Sequence, residues 1–278
     1  MLWIPFTVIA ALGQVARNAM QRQLTGALGT WGATHIRFLF GLPFALVFFA
    51  VVIVATGDRV GWPAPAFWPW LLVGALAQIV ATALMLAAMN ERSFVVATAY
   101  LKTEAIQTAI FGFVFLGDHL TPLKVAAILI ATVGVVVTAL RPGGAKGFGD
   151  PKPTLYGLAA AAGFALSAVG FRGAILTVAD VTFVTAASYT LAFALAVQAL
   201  VLSVYLLARA PQVLTAILRL WRPSLAAGFT GAAASQFWFL AFALTAAANV
   251  RTLALIEVVF AQIVARVSFR QPPTRRGL

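Results

Sequence analysis

The stretch Tyr100-Leu101-Lys102-Thr103-Glu104 places an ammonium and a carboxylate two positions apart inside an apolar run extending from 94 to 116. A second carboxylate, Glu257, lies in a similar run near the C-terminus, six residues after Arg251. Ionised groups at membrane depth are expensive, so they face a cavity or a partner. On a regular helix, positions i and i+2 point about 200° apart, so Lys102 and Glu104 cannot satisfy each other locally. Tyr100, Glu104 and Gln107 share one face, which is assigned to the interior. Lys102 is then expected to point elsewhere, toward another helix or, by snorkelling, to the interface.

Other polar groups recur at helical spacing. Gln14, Arg17, Asn18 and Gln21 follow i, i+3, i+4 and i+7, one polar stripe on an apolar helix. Gln78 and Thr82 share a face, while Ser188, Tyr189 and Gln198, and Ser235, Gln236 and Trp238, punctuate two later runs. Guanidinium and amide donors suit a solute's carboxylate. The Glu104 carboxylate and the Tyr100 hydroxyl suit an ammonium, and an indole can stack a planar body while donating one hydrogen bond. The plainer reading of each is a helix cap or a helix-to-helix hydrogen bond. Gln14, Arg17, Asn18, Gln78, Thr82, Tyr100, Glu104, Gln107, Ser188, Tyr189, Ser235, Trp238 and Glu257 form the candidate set for a substrate cavity.

The solvent these residues avoid is inferred from composition. Of 278 residues, 62% are hydrophobic and 9% charged, with a mean hydropathy of +0.98. Soluble domains carry about 25% charged residues, so the solvent here is largely lipid. Cysteine is absent and only His35 and His119 supply imidazole. No metal centre, thiol chemistry or cofactor is expected, and no phosphate-cradling glycine loop or nucleophile constellation is present. The net charge of +12 does not imply nucleic acid, because Lys and Arg flank apolar runs as they do at membrane borders.

The supporting elements are apolar runs long enough to cross a bilayer as helices. Nine are expected, at 2–21, 32–55, 66–89, 94–116, 122–140, 154–177, 182–208, 223–246 and 250–268. Residues 209–223 read as an amphipathic surface helix. Residues 141–153, rich in Gly, Pro and charge, read as a linker between a first repeat (1–140) and a second (154–278). The two halves align with Glu104 on Glu257, Ala88 on Ala241 and Thr121 on Thr274, and earlier with Gly13 on Gly163 and Arg22 on Arg172. Five spans per half inverts the second half, an architecture suited to a carrier with its site between the repeats. The counterpart of the fifth span would begin where the chain stops, so a tenth helix is expected to be missing.

The segments TEAIQTAIFGFVFLGDHLTPLKVAAILIATVGVVV (103–137) and LIEVVFAQIVARVSFRQPPT (255–274) resemble the repeat ends of the drug/metabolite transporter superfamily, specifically EamA-type exporters. Two departures stand out. The family's loop Glu is Asp118 here and Gln271 in the second half, and the Pro after the intramembrane Glu is replaced by Ala105 and Val258. The resemblance implies an all-α polytopic fold of two inverted five-helix repeats. It also implies export of small metabolites from a bacterial inner membrane by a monomer using alternating access. The likeness is greatest to aromatic amino-acid exporters. Drugs or nucleosides remain alternative cargoes, and a channel or an intramembrane enzyme the alternative classes. The family places its N-terminus in the cytoplasm. The loop charge count, with Arg22, Arg92, Arg141, Lys146, Lys152, Arg209, Arg219 and Arg222 against Arg59, Lys124 and Arg251, places it outside.

Overall fold

A computed structural model describes residues 1–91, 97, 100–119, 121–139 and 151–260. All regular structure among them is helical. Helix α1 (Trp3–Leu39) continues through Phe40 into α2 (Gly41–Thr56), followed by α3 (Phe67–Glu91), α4 (Glu104–Leu116) and α5 (Pro122–Ala139). Then come α6 (Pro151–Leu176), α7 (Phe183–Arg209), the short α8 (Pro211–Arg219), α9 (Trp221–Leu244) and α10 (Ala247–Leu253), the last running into a 3₁₀ turn, Ala254–Ile256.

Helix α1 is a hairpin, not a rod. Gly29 adopts φ 66° and ψ 174°, backbone angles that only glycine reaches without strain. Gln21 Nε2 donates to the Ala33 carbonyl at 2.8 Å. In a continuous helix these residues would lie about 18 Å apart. The chain therefore doubles back at Gly29, and each arm (3–28 and 30–56) exceeds the ~20 residues a crossing requires. These arms are the expected spans 2–21 and 32–55, lengthened toward their shared turn.

Phe67–Glu91, Lys152–Leu176, Phe183–Arg209 and Trp221–Leu244 are likewise long and apolar enough to cross a membrane. Helices α4 and α5 supply shorter apolar segments. Helix α6 starts three residues before the expected 154, while 141–150 of the expected linker lie outside the described residues. So do 94–96, 98 and 99 in the fourth expected span and everything past 260 in the ninth.

The burial pattern inverts that of a water-soluble protein. Leu46, Val51, Val54, Phe113, Val114, Leu200, Val204 and Leu207 are exposed, whereas Arg17, Gln21, Thr82, Glu104, Gln198 and Glu257 are buried. Such a surface is stable only against hydrocarbon, so this is an integral membrane protein. Small residues bring the helices into close contact. A Cβ on Gly170 of α6 would sit 2.7 Å from the Gly74 nitrogen of α3, and one on Gly13 of α1 would sit 3.0 Å from Ala234 Cβ of α9. With no hydrophobic drive between helices in lipid, this close packing is the main source of cohesion. Helix α8 behaves as expected for an amphipathic element: Ile217 is buried beside Leu28, Ile36 and Leu206, with Arg219 at its end.

Candidate functional site

Where α4 begins, the helix is interrupted. The Thr103 and Ala105 amides reach the Tyr100 and Lys102 carbonyls, each at 3.3 Å and each spanning three residues instead of four. A second interruption, the 3₁₀ turn Ala254–Ile256, precedes Glu257. These breaks release the side chains around them from regular helical directions. Of the two directions expected for Lys102, another helix or the interface, it takes the first. Lys102 is 4% exposed, and its Nζ contacts Glu257 Oε2 at 2.5 Å.

Glu257 also accepts from Gln14 Nε2, at 3.0 and 3.1 Å to its two oxygens. The Gln14 amide oxygen accepts from Trp238 Nε1 at 3.0 Å. The face of Trp238 carries the Arg251 guanidinium at 4.5 Å, with the Phe242 ring 5.3 Å from the same group. Arg251 Nε in turn lies 2.8 Å from Glu104 Oε1. That N–H is not aimed at the oxygen, so charge attraction holds the pair without a directed hydrogen bond. Arg251, counted as a loop residue in the charge tally, is 6% exposed and belongs to this network. Each carboxylate therefore finds its cation on the other half of the chain: Glu104 with Arg251, and Glu257 with Lys102.

One helical turn along α1, Arg17 is fully buried. Its only described hydrogen bonds go to Asn18 Oδ1, at 2.6 and 3.2 Å. Arg37, on the returning arm, is 2% exposed. It reaches Thr82 Oγ1 at 3.2 Å and Ser235 Oγ at 3.5 Å. Both arginines pack on Gly231 of α9, where an added Cβ would lie 3.1 Å from Arg17 Cδ and 3.3 Å from Arg37 Cγ.

The structure thus gathers Gln14, Arg17, Asn18, Thr82, Glu104, Ser235, Trp238 and Glu257 of the candidate set into one buried seam. There they pair largely with one another. Gln78 adjoins the seam through Thr82, whose hydroxyl donates to its carbonyl at 2.8 Å, while its side chain accepts from Gln198 Nε2 at 2.9 Å. Tyr100 is buried with its Cβ 2.6 Å from the point where a Gly157 Cβ would sit, and Gln107 reaches only Thr103 Oγ1 at 3.4 Å. Neither has a described bond to the network.

Ser188 and Tyr189 lie apart from it. Ser188 accepts from Gln236 at 2.8 Å, and the Tyr189 hydroxyl donates to the Gly61 carbonyl at 2.9 Å. Tyr189 lines a separate cleft with Arg59, Trp62 and Phe67. Sequence reasoning left Arg37 and Lys102 outside the site and gave Arg251 no specific partner. Arg37 sits near a run boundary, the usual place for an interfacial arginine. Only the hairpin at Gly29 turns it inward.

The family model described as EamA-like transporter family matches residues 1–140 of this chain. A solved crystal structure of a protein shares the fold at a TM-score of 0.67 with 16% identity, the match spanning 98% of this chain and 90% of the other. No curated protein sequence matches it.

Proposed function

This chain belongs to the EamA-like transporter family, a membership that makes it a membrane transporter of small solutes, and on that premise we propose that it exports small amphipathic metabolites, amino acids and their aromatic members included, by alternating access between two inverted halves. The carrying observation is the pair of crossed salt bridges. Lys102–Glu257 and Glu104–Arg251 each join residues before the 141–153 linker to residues after it. A seam held by ion pairs and small-residue contacts can part and reform on either side of the membrane. An apolar seam in lipid would have no comparable switchable partner.

Helix interruptions beside both glutamates agree with this reading, because broken helices are tolerated at membrane depth where they serve a solute path. Trp238, already stacked on a cation and bonded to Gln14, supplies an aromatic face at the same seam. The test is counterflow in proteoliposomes across labelled amino acids, nucleosides and cationic drugs, with and without a pH gradient. Accumulation of an amino acid that the Glu257→Gln variant fails to support is the expected result. Counterflow by none of the panel, or a variant as active as the parent protein, would overturn the proposal.

A further inference from the structure

The buried ionisable groups do not balance. Besides His35, the described residues bury four cations, Arg17, Arg37, Lys102 and Arg251, against two carboxylates, Glu104 and Glu257. Lys102 and Arg251 take up both carboxylates. Arg17 and Arg37 hydrogen-bond only neutral groups, an amide oxygen for one and hydroxyls for the other, with the Phe38 ring 5.2 Å from the Arg37 guanidinium. Arg17 Nη1 and Arg37 Nε make no hydrogen bond among the described residues. A buried, uncompensated guanidinium is among the costliest arrangements a protein can hold. The stems of both pack against Gly231, where an added Cβ would lie 3.1 Å from Arg17 Cδ and 3.3 Å from Arg37 Cγ.

We propose that Arg17 and Arg37 together form the acid-group subsite of the transport path, and that the cargo is an organic carboxylate of net negative charge. The proposal rests on the carrier reading above and shifts its preferred cargo, within small amphipathic metabolites, from amino acids to anionic acids. A planar two-oxygen acceptor matches the guanidinium fork, and two forks on one carboxylate complete the donors now left open. The excess of two buried positive charges is reduced by an anion and unchanged by a zwitterion. Both carboxylates of the seam are taken, so a cargo amine would have to displace Arg251 from Glu104 or Lys102 from Glu257. Trp238 lies one turn beyond Ser235, the Arg37 partner, so an aromatic body attached to the acid can reach the indole.

The experiment uses three molecules sharing one ring: phenyllactate, an anion; phenylalanine, a zwitterion; and phenethylamine, a cation. Binding to the purified protein in detergent is measured by calorimetry, and counterflow of the same three in proteoliposomes. Phenyllactate is expected to bind roughly tenfold or more tighter than phenylalanine, whose ammonium would be desolvated among buried cations, with phenethylamine not competing. Arg37→Gln is expected to erase that preference, and Arg37→Lys to restore part of it. Variants are compared only where thermal melting shows a folded protein.

Equal binding of the three, binding by none, or an intact preference in folded Arg37→Gln and Arg17→Gln would overturn the subsite. The carrier reading fails separately. An anion preference in detergent without counterflow in liposomes leaves the subsite standing and removes the transport function. Phenylalanine counterflow without any anion preference does the reverse.

Discussion

Glu257 shows how far a single side chain can be committed. It holds Lys102 at 2.5 Å and Gln14 at 3.0 Å with almost no exposure. Removing one member of such a pair strands the other charge, which costs about 3–5 kcal/mol, whereas replacing both with neutral groups of similar size costs far less. Glu257→Gln and Lys102→Met are therefore expected to lower the melting temperature in detergent more as single changes than the double variant does. A double-mutant cycle over those melts measures the coupling directly. Simple additivity of the two changes would show that they do not share an energetically meaningful contact. Arg17 contrasts with this pair: it is fully buried, yet its described partner is the neutral side chain of its neighbour Asn18.

At the scale of elements, the hairpin inside α1 determines which residues meet. Gly29 lies at φ 66° and ψ 174°, and a Cβ there would meet no neighbouring atom, so backbone strain alone decides the effect of substitution. Gly29→Ala is expected to cost about 1–3 kcal/mol. It should also loosen the returning arm, read as faster hydrogen exchange at residues 30–39. An unchanged melt would mean that the turn is not strained. Much of this level was legible in sequence. Long apolar runs bounded by Arg22, Gly57 and Arg209 marked the helices, because lipid admits few alternatives to a helix of that length.

The orientation of each helix was less legible. Helices that are apolar all round carry no stripe to say which face turns inward. The direction of Arg37 was fixed by the reversal at Gly29, and that of Lys102 by an irregular turn at 102–103. Neither event follows from spacing alone. The polar stripe from Gln14 to Gln21 was the exception, since polar groups on an apolar helix do reveal a face, and the structure buries Arg17, Asn18 and Gln21.

At the scale of the whole molecule, the first and last parts of the chain interlock. Helix α1 lies on α9 so closely that Gly13 and Ala234 would place their Cβ atoms 3.0 Å apart, so a parting of roughly 0.5–1 Å brings them to the separation a disulfide spans. The natural chain has no cysteine, so an introduced pair reports without interference. Gly13→Cys with Ala234→Cys is expected to oxidise readily and to halt counterflow, and reductant to restore it. Full transport by the oxidised double variant would mean that this contact stays closed throughout the cycle and that motion lies elsewhere. The same contact unites elements that the sequence separates by some two hundred positions, so the functional unit is assembled only at the tertiary level.

The crossed pairing also bears on biosynthesis. Glu104 and Lys102 emerge from the ribosome well before Arg251 and Glu257, their eventual counter-ions. While the later half is still being made, the fourth apolar segment carries two charges with nothing opposite them, so its full seating in the bilayer has to await the arrival of the last helices. A nascent chain arrested before residue 251 should therefore leave that segment extractable or open to protease, while one arrested after 257 should not.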